Sequence, residues 1–228
     1  MIEEALIIFT RIPIPGKVKT RLVGSLSIVD CAAIQAAMIA DLFQKLQPLT
    51  QKRCDVFVCY SDEGEPSHFL KEMPTSFTSF PQKGQNIGER MFEAFQTLFA
   101  RGYQRVVLIG SDIPGVTMDR MITALTRLMT NEVVIGPSVD GGYYLIGAQQ
   151  QDLSYLFLET DLSWGEGSVF QETLTKIAKA NKSVCQVETL GDIDYHQDLI
   201  GYKAIKLPEN YRLNQWLRQN QRRFIWNG

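Results

Sequence analysis

Four short segments concentrate residue types that handle phosphates, metals or hydroxyl groups, and each lies just after an apolar run. The first is Thr10-Arg-Ile-Pro-Ile-Pro-Gly-Lys-Val-Lys-Thr-Arg21. It carries Arg11, Lys17, Lys19 and Arg21, with no acid between Glu4 and Asp30. Pro13, Pro15 and Gly16 forbid regular helix or a central strand, so the segment reads as a stiffened loop. Cations and exposed backbone N–H groups together neutralise a polyphosphate; the competing reading is a solvated basic loop. The P-loop pattern G-x-x-x-x-G-K-[ST] is absent.

The second segment, Gly110-Ser-Asp112-Ile-Pro-Gly115, directly follows the run RVVLI. A carboxylate at the end of a buried parallel strand can hold a metal against a diphosphate. Mg2+ and Mn2+ take hard oxygen ligands, commonly one or two carboxylates completed by phosphate oxygens. Asp112 could equally close the turn by an Asx hydrogen bond. In the third, Gly136-Pro-Ser-Val-Asp140-Gly-Gly-Tyr-Tyr-Leu-Ile-Gly147, Asp140 suits a general base, an acceptor for a sugar hydroxyl, or a turn former. Strand alternation sends Tyr143 and Tyr144 to opposite faces, so at most one is expected to line a pocket. The fourth, Gly191-Asp192-Ile-Asp194-Tyr-His196, places two carboxylates at period-2 spacing, either able to complete a metal shell opposite Asp112. Asp194 also suits the N-cap of a helix over Tyr195–Ile200; one of the pair is expected to cap and the other to face the ligand. His68 lies in a polar stretch and reads as surface. Trp164, in the loop Leu162–Ser168, either stacks on a ligand or anchors the loop in the core.

Strand-length runs alternate with helix-periodic segments to position these groups. Strands are expected at Ala5–Phe9, Val56–Tyr60, Arg105–Ile109, Val133–Ile135, Tyr143–Ile146 and Ser183–Glu188. Helices are expected at Ser27–Leu46, Asn86–Phe99, Thr117–Met129, Gly167–Ala180 and in the tail after Pro208. Ser27 with Asp30 forms a capping-box spacing, Thr117 an N-cap, and Glu166 or Ser168 marks the start of the fourth helix. In the first helix Ala32, Ala33, Ala36, Ile39, Ala40 and Phe43 form an apolar stripe. This alternation predicts an α/β fold of three layers, a mostly parallel sheet between helices. Ligands of such sheets bind outside the carboxyl ends of the strands, where the four segments fall.

Taken in order, FTRIPIPGKVKTRL, QNIGERM, GSDIPGVT, GPSVDGGYYLIG, SWGEGSVFQETL and GDIDYHQDL resemble a bacterial family provisionally assigned as glycosyltransferases and formerly grouped as a domain of unknown function. That family lies in the nucleotide-diphospho-sugar transferase superfamily, with the GT-A fold. The same order is similar to the 2-phospho-lactate guanylyltransferases and, more distantly, to the molybdenum-cofactor guanylyltransferases. The resemblance covers the chain to about Ile200. It implies a nucleotide-binding set of Arg11, Gly16, Lys17, Lys19, Arg21 and Gly88. It also implies Asp112 as a metal ligand, joined by Asp192 or Asp194. Relatives commonly carry Asp where this chain has Asn86, and D-x-D-T-P-E-D-L where it has Tyr195-His196-Gln197.

Composition narrows the classes. The chain has 228 residues, 45% hydrophobic, with a formal net charge of −2. It is long enough for one large core, and one domain over 1–228 is the economical reading. Near-neutral charge gives no basic face for nucleic acid or an anionic membrane. The opening MIEEALIIFTRIP fits neither a signal peptide nor a membrane span. Four cysteines without metal-site spacing fit the reducing cytoplasm. The expected activity is transfer from a nucleotide-diphosphate donor with Mg2+ or Mn2+, glycosyl transfer from a nucleotide-sugar to a small-molecule acceptor leading. Lys19 would stabilise the leaving diphosphate, and Asp140 would contact the sugar or deprotonate the acceptor. The alternatives are nucleotidyl transfer from a nucleoside triphosphate and a non-catalytic nucleotide-binding module.

Overall fold

The apolar run Ala5–Phe9 becomes the interior of strand β1 (Glu4–Thr10), the third strand of a seven-stranded sheet. Its neighbours on both sides, and helices on both faces, explain why it is apolar at successive positions rather than alternately. Leu6 and Ile8 enter one core cluster, Ala5 and Ile7 the opposite one.

The computed structural model describes residues 3–61, 63–158, 162, 164 and 167–220. After β1 come α1 (Ile28–Leu46), β2 (Cys54–Tyr60), α2 (Ser67–Lys71), β3 (Thr78–Pro81), α3 (Ile87–Phe99), β4 (Arg105–Gly110) and α4 (Met118–Arg127). Then follow β5 (Val133–Pro137), β6 (Tyr143–Gln149), α5 (Ser154–Phe157), α6 (Val169–Lys179), β7 (Val184–Gln186), α7 (His196–Ile205) and α8 (Tyr211–Gln219). The sheet order is β3-β2-β1-β4-β6-β5-β7, with β6 antiparallel to both neighbours and the other pairs parallel. The three-layer α/β fold expected from the sequence is present. Among the described residues no helix is long and apolar enough to cross a membrane.

The helix starts follow their capping residues. Ser27 Oγ accepts from Asp30 N, Asn86 Oδ1 from Glu89 N and Thr117 Oγ1 from Arg120 N. Three expectations need correction. Strand β3 was not anticipated; it is a four-residue edge strand that includes Pro81, a residue edges tolerate. The alanine stripe of α1 is only partly core: Ala36 is exposed, and Ala33 and Ala40 are half-buried. Cys31, Ile34 and Met38 instead pack with Ile193, Leu199, Leu213 and Leu217 in a third apolar cluster. The last helix before the tail is longer than Tyr195–Ile200 and is not capped by Asp194. The Asp198 carboxylate turns back to accept from Tyr195 N at 2.6 Å and Asp194 N at 3.0 Å. Glu166, one of the two residues expected to mark the start of α6, lies outside the described residues, as does Gly165 beside Trp164.

Candidate active site

Strands β1 and β4 are adjacent, but the chain leaves β1 toward β2 on one side and returns to β4 on the other. This is a topological switch point, where the loops leaving the two strands diverge and open a crevice. Those loops carry the basic segment and Asp112. Thr10 and Ser111, just past the crevice floor, have their hydroxyl oxygens 2.7 Å apart, and Gln35 Nε2 of α1 donates to Ser111 Oγ at 2.9 Å. All three are buried, so both loop origins are fixed.

The basic loop folds back over the crevice through Gly16, at φ +79°, and Lys19, at φ 49° and ψ 39°. For a lysine the left-handed region costs roughly 1–2 kcal/mol. Here it accompanies an inward-turned side chain, only 3% exposed, with Nζ 2.9 Å from Asp112 Oδ2 and 2.8 Å from Asp194 Oδ1. Burial works against the ammonium, but the two carboxylates outweigh it and hold its pKa above the ordinary lysine value. Arg21 Nη1 donates to Asp194 Oδ2 at 2.8 Å, and its guanidinium lies 5.4 Å from the Tyr195 ring centroid. Partial burial of Asp194 works to raise its pKa, yet Lys19 first and Arg21 second hold its carboxyl below the usual range. With both oxygens engaged, Asp194 acts as the counter-ion of the basic loop.

Asp192 is in the opposite situation. Burial, then the charges of Asp140 and Asp194, push its carboxyl up to about 6. Asp140 Oδ1 accepts from the Ser138 hydroxyl and from Gly142 N, so this residue does form the turn. Asp112, by contrast, accepts from Lys19 and from no backbone N–H among the described residues.

Three cavities run in series past these carboxylates. A polar one of about 680 Å3 is bordered by Arg11, Lys19, Arg21, Gln82, Asn86 and Arg90. It shares Asp112 and Asp194 with a second, of about 370 Å3, walled by Phe9, Met91, Tyr143 and Trp164 with Asp140 and Asp192. Asp140 and Asp192 in turn border a third, of about 380 Å3. Tyr143 and Tyr144 pack into opposite core clusters, as alternation requires, yet both border the second cavity. The expectation of at most one lining tyrosine is therefore corrected: the pair sits at the very start of β6, where the cavity wraps the sheet end. Trp164 packs on the core, as one of its two readings expected, and also lines the second cavity. Gly88, expected in the nucleotide-binding set, is not among the lining residues of the first cavity; it packs so closely that a Cβ there would come within 2.6 Å of the Phe157 carbonyl and 3.0 Å of Trp164. Gly16 and Lys17 are exposed outside the wall of that cavity, and His68 borders a separate apolar groove on α1.

Among the described residues Lys19 pairs with Asp112 and Asp194 and Arg21 with Asp194, while burial first, and then Asp140, Asp194 and Asp112, raise the pKa of Asp192. Among the described residues no three acidic, histidine or cysteine side chains form a metal cage. Asp112, which accepts from no backbone N–H among the described residues, could serve as a single carboxylate ligand of a hard cation whose shell is completed by a bound phosphate or water.

Residues 47–166 match the family described as an uncharacterized protein conserved in bacteria, DUF2064. The chain is also 34% identical to a protein of Desulfovibrio desulfuricans G20, over 97% of this chain and 96% of that one, with a TM-score of 0.86. This chain belongs to the DUF2064 family. The Desulfovibrio protein is described provisionally as a nucleotide-diphospho-sugar transferase, and the DUF2064 chain shares that fold. More distant structures share the fold alone. A cytidylyltransferase from Leptospira borgpetersenii is 12% identical over 100% of this chain and 99% of that one, at a TM-score of 0.59. The 4-diphosphocytidyl-2C-methyl-D-erythritol synthase of Anaerococcus prevotii is 9% identical over 89% and 98%, at 0.57. No curated protein matches the sequence.

The DUF2064 site also contains residues that sequence reasoning missed. Glu63 pairs with Arg11 at 2.7 Å, so the basic loop is less free of acids than its own sequence suggests. Gln82 follows the unanticipated β3, donates to the carbonyls of Thr10 and Cys59, and faces Arg90 Nη1 at 3.4 Å. Arg90 was within the quoted motif QNIGERM, which supplied a signal that only Gly88 was drawn from.

Proposed function

We propose that this protein is a metal-dependent transferase that moves a sugar from a nucleotide-diphosphate donor to a small-molecule acceptor. One observation carries the reading: a basic cavity and a partly aromatic cavity with no Lys or Arg in its described lining meet at Asp112 and Asp194. The basic side suits the nucleoside diphosphate, with Lys19 and Arg21 turning from Asp194 toward phosphate oxygens and Arg11 and Arg90 at the rim. The other side, whose described lining includes no Lys or Arg, suits a sugar and a neutral acceptor. A phosphorylated acceptor, as nucleotidyl transfer commonly uses, would meet no Lys or Arg in that described lining and would face Asp140 as a like charge.

In this reading the acceptor hydroxyl bonds to the anomeric carbon, and the bond from that carbon to the diphosphate oxygen breaks. The electron pair leaves with the nucleoside diphosphate, whose growing charge Lys19 and Arg21 stabilise. The proton passes to Asp140, whose Oδ1 is held in the turn. Asp112 and Asp192 would hold Mg2+ or Mn2+ against the donor, and the bound ion supplies neutralisation of the diphosphate. Until the donor binds, Asp194 holds the lysine and arginine in place.

Titration calorimetry with nucleotide-sugars and nucleoside triphosphates, each with and without Mn2+, tests the donor class. Preferential metal-dependent binding of a nucleotide-sugar supports the proposal. Preferential binding of a triphosphate supports nucleotidyl transfer instead.

A further inference from the structure

The third cavity is absorbed by neither the donor nor the sugar. It lies across Asp140 and Asp192 from the second, and its wall includes Val139, Tyr195, Tyr202, Ile205 and Leu207. Val139 and Ile205 are 74% and 72% exposed, unusual for aliphatic side chains beside a set of carboxylates. No Lys or Arg is among its described lining residues. Asp198 borders it, but the Asp198 carboxylate is occupied by the N–H groups of Asp194 and Tyr195. The Tyr195 ring is held under Arg21, so one wall of this groove is fixed by the loop that faces the donor.

We propose that the acceptor is an uncharged amphiphile. Its hydroxyl reaches the second cavity between Asp140 and Asp192, and its apolar portion lies along Val139, Tyr195 and Ile205. Continuity argues for one molecule: the two carboxylates that would receive the hydroxyl are also the inner rim of the apolar groove. Size argues against a protein partner. A cavity of about 380 Å3 is that of a small-ligand site, whereas a stable protein interface covers on the order of 800 Å2 on each side. Charge argues against phosphorylated amphiphiles, because a phosphate in this groove would meet no Lys or Arg in its described lining and would lie beside Asp140. The inference rests on the transferase reading above.

Octyl glucoside below its micelle concentration, methyl glucoside and octyl phosphate serve as probes in titration calorimetry on the full chain. Octyl glucoside should bind at least about tenfold more tightly than methyl glucoside, from burial of its methylenes, and octyl phosphate more weakly than octyl glucoside. Val139→Glu and Ile205→Glu should each remove most of that gain while melting close to the parent, because both side chains are exposed. Ala36→Glu, in the separate groove on α1, should keep it. Equal binding of the two glucosides, octyl phosphate binding as tightly, or a loss in Ala36→Glu but not in Ile205→Glu would overturn the proposal. Nucleotide-sugar binding measured on the same samples separates the two levels. If it is present while the amphiphile result fails, only the acceptor assignment falls; if it is absent, both fall.

Discussion

Lys19 places its ammonium 2.9 Å from the Asp112 carboxylate, so the residue expected to meet phosphate and the residue expected to meet metal are paired with each other. The donor must therefore compete with an internal ion pair. Lys19→Met would leave Asp112 and Asp194 facing each other without the cation between them. Loss of one partner from a fully buried pair costs about 3–5 kcal/mol. Here Asp112 and Asp194 keep 36% and 25% side-chain exposure, so a loss of about 2 kcal/mol in urea unfolding is expected. Unchanged stability would show the pair to be solvent-screened.

Arg21→Ala separates binding from stability. Arg21 is about half exposed, and such pairs contribute about 0–1 kcal/mol. Its melting temperature should stay near that of the parent while donor affinity falls by about tenfold, the worth of one charge-assisted phosphate contact. A variant that melts early yet binds donor normally would make Arg21 a structural residue.

Asp112→Asn tests the cation. With the carboxylate gone, the difference between donor affinity in Mn2+ and in EDTA should shrink by more than roughly tenfold, with the fold retained. Equal affinity of the parent protein in Mn2+ and EDTA would remove the metal from the account.

Much of this arrangement was legible because it follows from strand ends. Apolar runs located six of the seven strands, and the switch point between β1 and β4 brings the basic loop to Asp112. What escaped is what depends on side-chain competition in three dimensions. Asp194 and Asp198 were both within reach of the α7 N-terminus; Asp198 takes the backbone N–H groups, and the nearby cations take Asp194. The Arg11–Glu63 pair joins residues far apart in sequence, and no local pattern announces it. Strand β3 is too short and too polar for periodicity to register.

Asp192 gives a pH signature. Its carboxyl moves from 3.8 to about 6 in the folded chain. Between those values the folded protein holds a proton that the unfolded chain has released. The contribution of this group is therefore fully stabilising below about pH 4 and is lost as pH rises through about 6. Asp192→Asn should melt about 2 °C or more above the parent at pH 7 and show little advantage at pH 4. An Asn variant no more stable than the parent at pH 7 would mean that Asp192 is already neutralised there.

Sugar transfer from a nucleotide-diphosphate donor is distinguished from nucleotidyl transfer by the identity of the leaving group. Purified protein with Mn2+, a panel of nucleotide-sugars and nucleoside triphosphates, and candidate amphiphilic alcohols would be assayed for nucleoside diphosphate and pyrophosphate together. Sugar transfer gives acceptor-dependent release of nucleoside diphosphate from a nucleotide-sugar, with no pyrophosphate. Acceptor-dependent pyrophosphate release from a triphosphate, with the nucleotide-sugars left intact, would contradict it.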